Sequence, residues 1–347
     1  MYRYIGNKAK LLPIIMQTAK RIIGEIGVVA DIMAGTGVVS LEFRREGYSV
    51  IASDMMTYSK HHLNINLLVN QPPDFAGLNT INSANGSRYE DVLLLLNSLE
   101  PVEGYFYNEF SPGGIPQNGS EPRKYFIPEN ASKIDAMREQ INQWLAEGKL
   151  TEIEESLLKH TLIMATNKVA NISGTYGYFL SSFIRSSLDN IVLLPVQFEE
   201  NDNINHTVIQ GFAEVVAPDI RADLCYIDPP YMKRQYAANY HILETIARGD
   251  YPEAVGKSGL RDWWDQHSKF CTKTRGLDSF ERVISSMHCQ DFIISYSEDG
   301  LFPLDTLISC FEKHGTVSVD YIDNSRFRSN GSPLPKQLQE YVIHVRK

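Results

Sequence analysis

The chain has 347 residues, 43% of them hydrophobic and 22% charged, with a formal net charge of −9. That is the composition of an ordinary globular protein with a sizeable core, and at ~100–200 residues per domain the length suits one large domain or a domain with an insertion. The acidic balance excludes a protein that coats nucleic acid indiscriminately, and no apolar run approaches the ~18 residues of a membrane span.

The start of the chain is polar and basic. Its apolar run Leu11-Leu12-Pro13-Ile14-Ile15-Met16 is too short and too interrupted by proline for a secretory segment. The four cysteines, Cys225, Cys271, Cys289 and Cys310, form no Cys-x-x-Cys pair, which argues against a disulfide framework or a zinc site. A reduced, cytoplasmic protein is expected. Residues 1–21 carry five basic side chains and no acid, and residues 326–347 carry five against Glu340 alone. Such local strips attract phosphates even on an acidic molecule.

In chain order, 28–33 reads as a short apolar strand carrying Asp31. It runs into Ala34-Gly35-Thr36-Gly37, and then 38–45 shows apolar residues at helical spacing, closed by Gly47. A second strand over 48–53 ends at Asp54, with Met55 beside it, and a helix follows over 57–68. This β-α-β-α opening predicts a parallel sheet with right-handed crossovers.

The pattern then changes. Residues 70–85 are rich in Asn, Pro and Gly, and 110–122 pack Pro112, Gly113, Gly114 and Pro116 into a loop. Amphipathic helices are expected over 131–145, capped by Asn130 or Ser132, and over 151–170. Strand patterns return at 207–210, 224–227, 292–296, 316–322 and 341–345. The expected organisation is an α/β sheet contributed by 1–69 and 204–347, interrupted by a mostly helical insertion over 70–203. A second excursion covers 232–282.

Two features carry chemistry. The first is the glycine turn, since glycine lacks a Cβ and lets a ligand approach the backbone. Asp54 follows Asp31 by 23 positions, near the ~20-residue offset of an acid that binds ribose hydroxyls. A dinucleotide site needs a third glycine three positions after Gly37, and Ser40 stands there. Asp31 would repel a pyrophosphate but suits an amino or sulfonium cation. S-adenosylmethionine is therefore favoured over a nicotinamide cofactor.

The second feature is Asp228-Pro229-Pro230-Tyr231, entered from the apolar run Leu224-Cys225-Tyr226-Ile227. A loop at a strand's carboxyl end is where open α/β sheets place their ligands. The prolines stiffen it and leave nearby carbonyls free to accept hydrogen bonds. Asp228 can accept from an amino group, and Tyr231 offers a face on which a base can stack. These parts suit methyl transfer to an exocyclic amine. Cys225 lies inside the strand and reads as core, which argues against a cysteine nucleophile.

With these residues in hand, the chain resembles the Dam-like class of DNA adenine-N6 methyltransferases, and within it the modification enzymes of restriction systems. Arg3-Tyr4-Ile5-Gly6-Asn7-Lys8 with Leu11-Leu12 is similar to the class's N-terminal motif, Asp31 to Gly37 to its cofactor loop, and Asp228 to Tyr231 to its catalytic tetrapeptide. Further similar stretches are 123–126, 130–138, 170–178, 234–244 and 295–297, so the resemblance spans nearly the whole chain.

The resemblance implies a Rossmann-like S-adenosylmethionine-dependent methyltransferase sheet with a target-recognition insertion. Tyr4, Lys8, Asp31, Ala34, Gly35, Thr36, Gly37, Asp54, Met55 and Phe212 would hold the cofactor. One departure stands out. The class carries an acidic-Phe pair where this chain has Gly211-Phe212, so the acid is missing or its role falls to Glu214. No metal is implied.

The implied substrate is duplex DNA, with a target adenine flipped out of the stack. Arg123, Lys124 and Lys168 are candidate phosphate contacts, and Lys233, Arg234, Asn239 and Tyr240 candidates for holding the flipped strand. Trp144, Trp263 and Trp264 read as packing residues, and His241 and His267 receive no catalytic role. A separately encoded restriction endonuclease is a candidate partner, and the enzyme itself is expected to be a monomer or weak dimer. Cytosine-N4 or RNA-base methylation, and a non-catalytic binding module, are the alternatives.

Overall fold

The computed structural model describes residues 8, 10–81, 88–200, 202, 204–325 and 337–347. Tyr4 and the basic residues Arg3, Arg326, Arg328 and Lys336 lie outside the described residues. The chain folds as two compact units. A sheet unit holds Lys8–Met55, Asp202–Gln235 and His267–Lys347, and a helical unit holds Met56–Asn201 and Tyr236–Gln266.

The sheet unit is built on β1 (Val28–Asp31), β2 (Ser49–Asp54), β3 (Thr207–Gln210), β4 (Leu224–Ile227), β5 (Asp291–Ser297), β6 (Thr316–Ser325) and β7 (Gln337–Arg346). Their order is β3-β2-β1-β4-β5-β7-β6. Strands β1 to β5 are mutually parallel, and β7 runs antiparallel between β5 and β6. This is the expected Rossmann-like α/β sheet. The chain walks outward from β1 to β3 and then returns to lay β4 on the other side of β1. That reversal opens a crevice at the carboxyl ends of β1 and β4, where such sheets bind ligands.

The central strands are apolar because both faces are covered. Every residue of β4 and β5 is buried. Helix Gly276–Ser286 presents Phe280, Val283 and Ile284 at helical spacing to a core that includes Cys225, Ile227, Phe292 and Ile294. Fully burying each such Val, Ile or Phe is worth ~1.5–3 kcal/mol. Helix Leu12–Ile23, which contacts β4 and β5, forms from the apolar run that Pro13 interrupts in sequence. Pro13 falls in the first turn, where a missing amide costs nothing and the fixed φ favours helix.

In the helical unit, Thr57–Leu68 packs against Glu152–Val169. Expectation placed this helix in the sheet-bearing part of the chain. It is instead buried at eight of its twelve positions, so it needs neighbours on most sides. Its first turn lacks a side-chain cap of its own. The Glu244 carboxylate, from helix His241–Arg248, accepts from Thr57 N and Tyr58 N at 3.2 Å each, satisfying orphan amides at the positive end of the helix.

The next long helix starts earlier than expected, at Pro128. Asn130 and Ser132 therefore sit inside it rather than capping it. Asn130 bridges Asp189 O and Ile191 N at 2.9 Å each, and Ser132 bonds back to Pro128 O at 2.9 Å. Within the same unit Trp264 is 70% exposed and stacks on Trp263, so only Trp144 of the three tryptophans expected to pack is shown buried. Among the described residues no helix is long and apolar enough to cross a membrane.

Candidate active site

The glycine turn and the tetrapeptide both belong to the sheet unit and follow adjacent strands. Asp31, the last residue of β1, pairs with Tyr226 of β4, and Asp228 lies two positions further along. The loops that sequence alone ties only by motif are thus neighbours across one crevice.

Asp31 is 1% exposed. Ser40 Oγ donates to its Oδ2 at 2.6 Å, while Oδ1 is buried with no hydrogen-bond partner among the described residues. Burial pushes this carboxyl up to about 7, the charges of Asp228 and Asp54 push the same way, and the Ser40 bond opposes them. A desolvated carboxylate oxygen of this kind, beside a glycine turn, can accept from a donor or a cation.

The turn itself is pinned by backbone bonds. Gly35 and Gly37 adopt φ of 55° and 78°, left-handed values that cost a residue with a Cβ ~1–2 kcal/mol. Ala34 N donates to Ser53 O at 3.0 Å, and Gly37 N to Ala34 O at 2.8 Å. Gly35 N donates to Asp54 Oδ2 at 2.9 Å, so the acid ending β2 also sets the shape of the loop after β1. Asp54, Met55, Thr36 and Phe212 are half-buried. Gly211 N bonds Asp54 O at 2.9 Å, which ties the Phe212 segment to the same strand end. Glu214 is buried and pairs with Lys269 at 3.4 Å.

At the end of β4, the Tyr231 hydroxyl donates to Asp228 Oδ1 at 2.9 Å. The Tyr231 ring packs against Tyr296 at 5.0 Å. Lys8 reaches the same oxygen of Asp228, Nζ to Oδ1 at 3.0 Å, and lies 4.6 Å from the centroid of the Tyr231 ring. Burial raises the Asp228 carboxyl, while Lys8 and the Tyr231 hydroxyl pull it back down. Pro229 is buried and Pro230 half-buried. Below them Tyr226 and Ser295 share a buried hydrogen bond of 2.8 Å.

The Lys8 contact was not legible in sequence. The N-terminal motif pointed to the cofactor loop, whereas Lys8 touches the tetrapeptide. Ser40 was read only as a missing glycine; its hydroxyl is what holds Asp31.

The candidate DNA contacts divide. Lys233 and Arg234 are exposed on the loop leaving Tyr231. That loop is clipped to a second one: Gln235 Nε2 donates to Ser268 O at 3.0 Å, Ser268 N to Gln235 Oε1 at 2.8 Å, and Cys271 Sγ to Arg234 O at 3.5 Å. The clip brings in the half-buried Lys269 and the exposed Lys273 and Arg275, which the motifs did not single out.

In the helical unit, Lys124 and Lys168 are exposed, and Lys124 Nζ reaches Ser181 O at 3.2 Å. Arg123 is 0% exposed and corrects the expectation of a phosphate contact. Its guanidinium bonds Glu109 Oε2 at 2.7 Å and Glu109 O at 2.9 Å. It also bonds the carbonyls of Lys257, Ala254 and Gly256 at 3.2, 3.2 and 2.9 Å. Tyr240 is likewise interior, packed against Tyr58 and Tyr236, and Asn239 is buried with its carbonyl accepting from Tyr176 N at 2.8 Å. His241 is buried, its Nε2 donates to Tyr176 O at 3.0 Å, and burial lowers its pKa to about 3. It has no part in the site.

Comparison with known proteins bears on the family. The chain is 32% identical to the type II methyltransferase M.FokI of Planomicrobium okeanokoites, with 99% of this chain and 52% of that protein covered. It is 32% identical to the modification methylase LlaI of Lactococcus lactis subsp. lactis, with 99% and 55% covered. It is 34% identical to the type II methyltransferase M.NlaIII of Neisseria lactamica, with 94% and 92% covered. The chain thus spans about half the length of the first two. Residues 4–298 match the D12 class N6 adenine-specific DNA methyltransferases, and the chain belongs to that family.

Proposed function

We propose that this chain moves a methyl group from S-adenosylmethionine to the N6 amine of an adenine flipped out of duplex DNA. The observation that carries the reading is the pairing of β1 with β4. It sets Asp31, a desolvated carboxylate with one oxygen that has no hydrogen-bond partner among the described residues, next to the loop that presents Asp228 and Tyr231.

Asp31 fits the cationic end of S-adenosylmethionine, Gly35 and Gly37 clear the approach, and Asp54 and Phe212 suit its ribose and adenine. Bound there, S-adenosylmethionine supplies an electrophilic methyl group. The N6 amine is a poor nucleophile because its lone pair is shared with the ring. Asp228 and the Pro229 carbonyl each accept one N6 hydrogen, drawing the nitrogen toward a tetrahedral geometry in which the lone pair is available. Tyr231 stacks on the base, worth ~1–3 kcal/mol, and so offsets part of the few kcal/mol that flipping costs. Positioning and electrostatics supply the catalysis, with no covalent intermediate on the protein.

Lys233 and Arg234 suit the phosphates of the target strand, and Lys124 and Lys168 those on the insertion's side. A restriction endonuclease on another chain is the partner this reading suggests, because the relatives named above are modification enzymes. The experiment is radiolabelled methyl transfer to duplex DNA from a methylation-free host, followed by nucleoside digestion. N6-methyladenine is expected, and Asp228→Ala should keep cofactor binding while losing transfer by at least ~10²-fold. Label in N4-methylcytosine, or undiminished turnover in the variant, would overturn the assignment.

A further inference from the structure

Lys8 is 5% exposed, and its ammonium meets two groups at once. It donates to Asp228 Oδ1 at 3.0 Å and sits 4.6 Å from the centre of the Tyr231 ring. An adenine amine engaged by this loop needs the same two things, a hydrogen bond to Asp228 and a place on the face of Tyr231. We propose that the Lys8 ammonium is a placeholder for the target amine, occupying its position in the free enzyme and leaving when the base arrives. The inference rests on the proposed adenine methylation and adds a residue to that same site.

The packing around Tyr231 says which neighbour gives way. Tyr296 lies against the ring at 5.0 Å, is 1% exposed, and accepts at its hydroxyl from Phe302 N at 3.2 Å. It belongs to a central strand and cannot swing out. Lys8 is a single ammonium on four methylenes, held by one ion pair and one ring contact. A base stacking on Tyr231 displaces the lysine.

The arrangement has a use. Among the described residues, the charged and titratable groups facing Asp228 are Lys8, Tyr231 on its own loop, Tyr226 of β4, Asp31 of β1 and Glu340 of β7. Lys8 is the lone cation among them. Burial and the charge of Glu340 drive Asp228 toward its protonated form, in which it accepts an amine hydrogen poorly. Lys8 keeps the carboxylate ionised and aimed until the substrate's own donors take over. It acts through Asp228, as a positioning residue.

The test separates the free enzyme from the complex. The pH dependence of kcat/KM reports groups in the free enzyme, and that of kcat reports the bound complex. In Lys8→Met, the acid limb of kcat/KM should move to higher pH by at least about one unit, since an opposite charge at this range lowers a carboxyl by ~1–3 units. The acid limb of kcat should stay in place, because the lysine has already left the complex. Movement of both limbs would mean that Lys8 stays on Asp228 throughout, and movement of neither that it is structural; each outcome overturns the proposal.

Lys8→Arg provides a second reading if the methionine variant does not fold. Its guanidinium keeps the charge but grips a carboxylate with two donors, so the acid limb of kcat/KM should remain and KM for DNA should rise several-fold with kcat retained. A lowered kcat at unchanged KM would count against displacement. Wild-type turnover on DNA tests the underlying function by itself: no transfer sinks both readings, whereas transfer with the wrong limbs sinks this one alone.

Discussion

Ser40 donates its hydroxyl to Asp31 Oδ2 at 2.6 Å, from one turn into the helix that follows the glycine loop. It stands where a dinucleotide site would carry a third glycine. One residue therefore both departs from the dinucleotide pattern and holds the acid that suits a cation.

That relationship fixes a pH dependence. The Asp31 carboxyl titrates at about 7 in the folded chain against 3.8 when unperturbed. Between those values the folded state binds more protons than the unfolded one, so Asp31 makes the cofactor-free protein less stable as pH rises from ~4 to ~7 and has no further effect above. Cofactor affinity should run the other way, rising through pH 7 as the carboxylate forms. Ser40→Ala removes the bond that favours ionisation and should move that rise to higher pH. Titration calorimetry with S-adenosylmethionine from about pH 6 to about pH 9 reads it, and a flat profile would dismiss Asp31 as the cation's partner.

Tyr231 joins two functions that substitution can separate. Tyr231→Phe keeps the ring and removes the bond to Asp228, and should lower kcat/KM about tenfold, the net worth of a hydrogen bond to a charged group. Tyr231→Ala also removes the stacking face, and a further ~5- to 150-fold loss is expected from ~1–3 kcal/mol of base stacking. Equal activity of the two variants would show that the ring carries no base.

Arg123 is a stability residue. Its partner Glu109 is 2% exposed, so Arg123→Met leaves a buried carboxylate unpaired and should cost ~3–5 kcal/mol. Urea unfolding of the variant measures this. The salt dependence of DNA binding should be unchanged, which distinguishes the interior role from a phosphate contact.

The clipped basic loops should behave in the opposite way. Lys233, Arg234, Lys273 and Arg275 have no ion-pair partner among the described residues. For every side chain that neutralises a phosphate, its removal should make the slope of log K against log salt shallower by ~0.9 on duplex DNA. Paired substitutions Lys233→Ala with Arg234→Ala, and Lys273→Ala with Arg275→Ala, should weaken cognate and non-cognate DNA alike with melting unchanged. Fluorescence anisotropy across a salt series checks this; an unaltered slope removes that loop from the interface.

Local patterns carried much of the architecture. The helix over 38–45 and the strands over 207–210 and 224–227 have the bounds read from sequence, because helical spacing marks the buried side of a helix and a short apolar run marks a covered strand such as 224–227. Gly35, Gly37, Asp31 and the tetrapeptide stood out in sequence because the proposed chemistry calls for particular residue types at particular offsets. The helix from Leu12 to Ile23 was hidden by a proline that stops helices in their middle but suits their first turn.

What sequence could not decide is what each polar side chain faces. Arg123 and Lys124 are adjacent basic residues, and only the packing around Glu109 and the 254–257 carbonyls puts one in the interior and leaves the other in water. Lys8 and Asp228 are separated by nearly two-thirds of the chain, and no spacing rule joins them; only the folded chain brings the segment before helix Leu12–Ile23 to the end of β4. Residue types and their intervals determined the fold class and the chemistry on offer, since both follow from local backbone preference and functional groups. Partnership, burial and charge state belong to the tertiary structure, because they depend on distances between segments that the linear order leaves free.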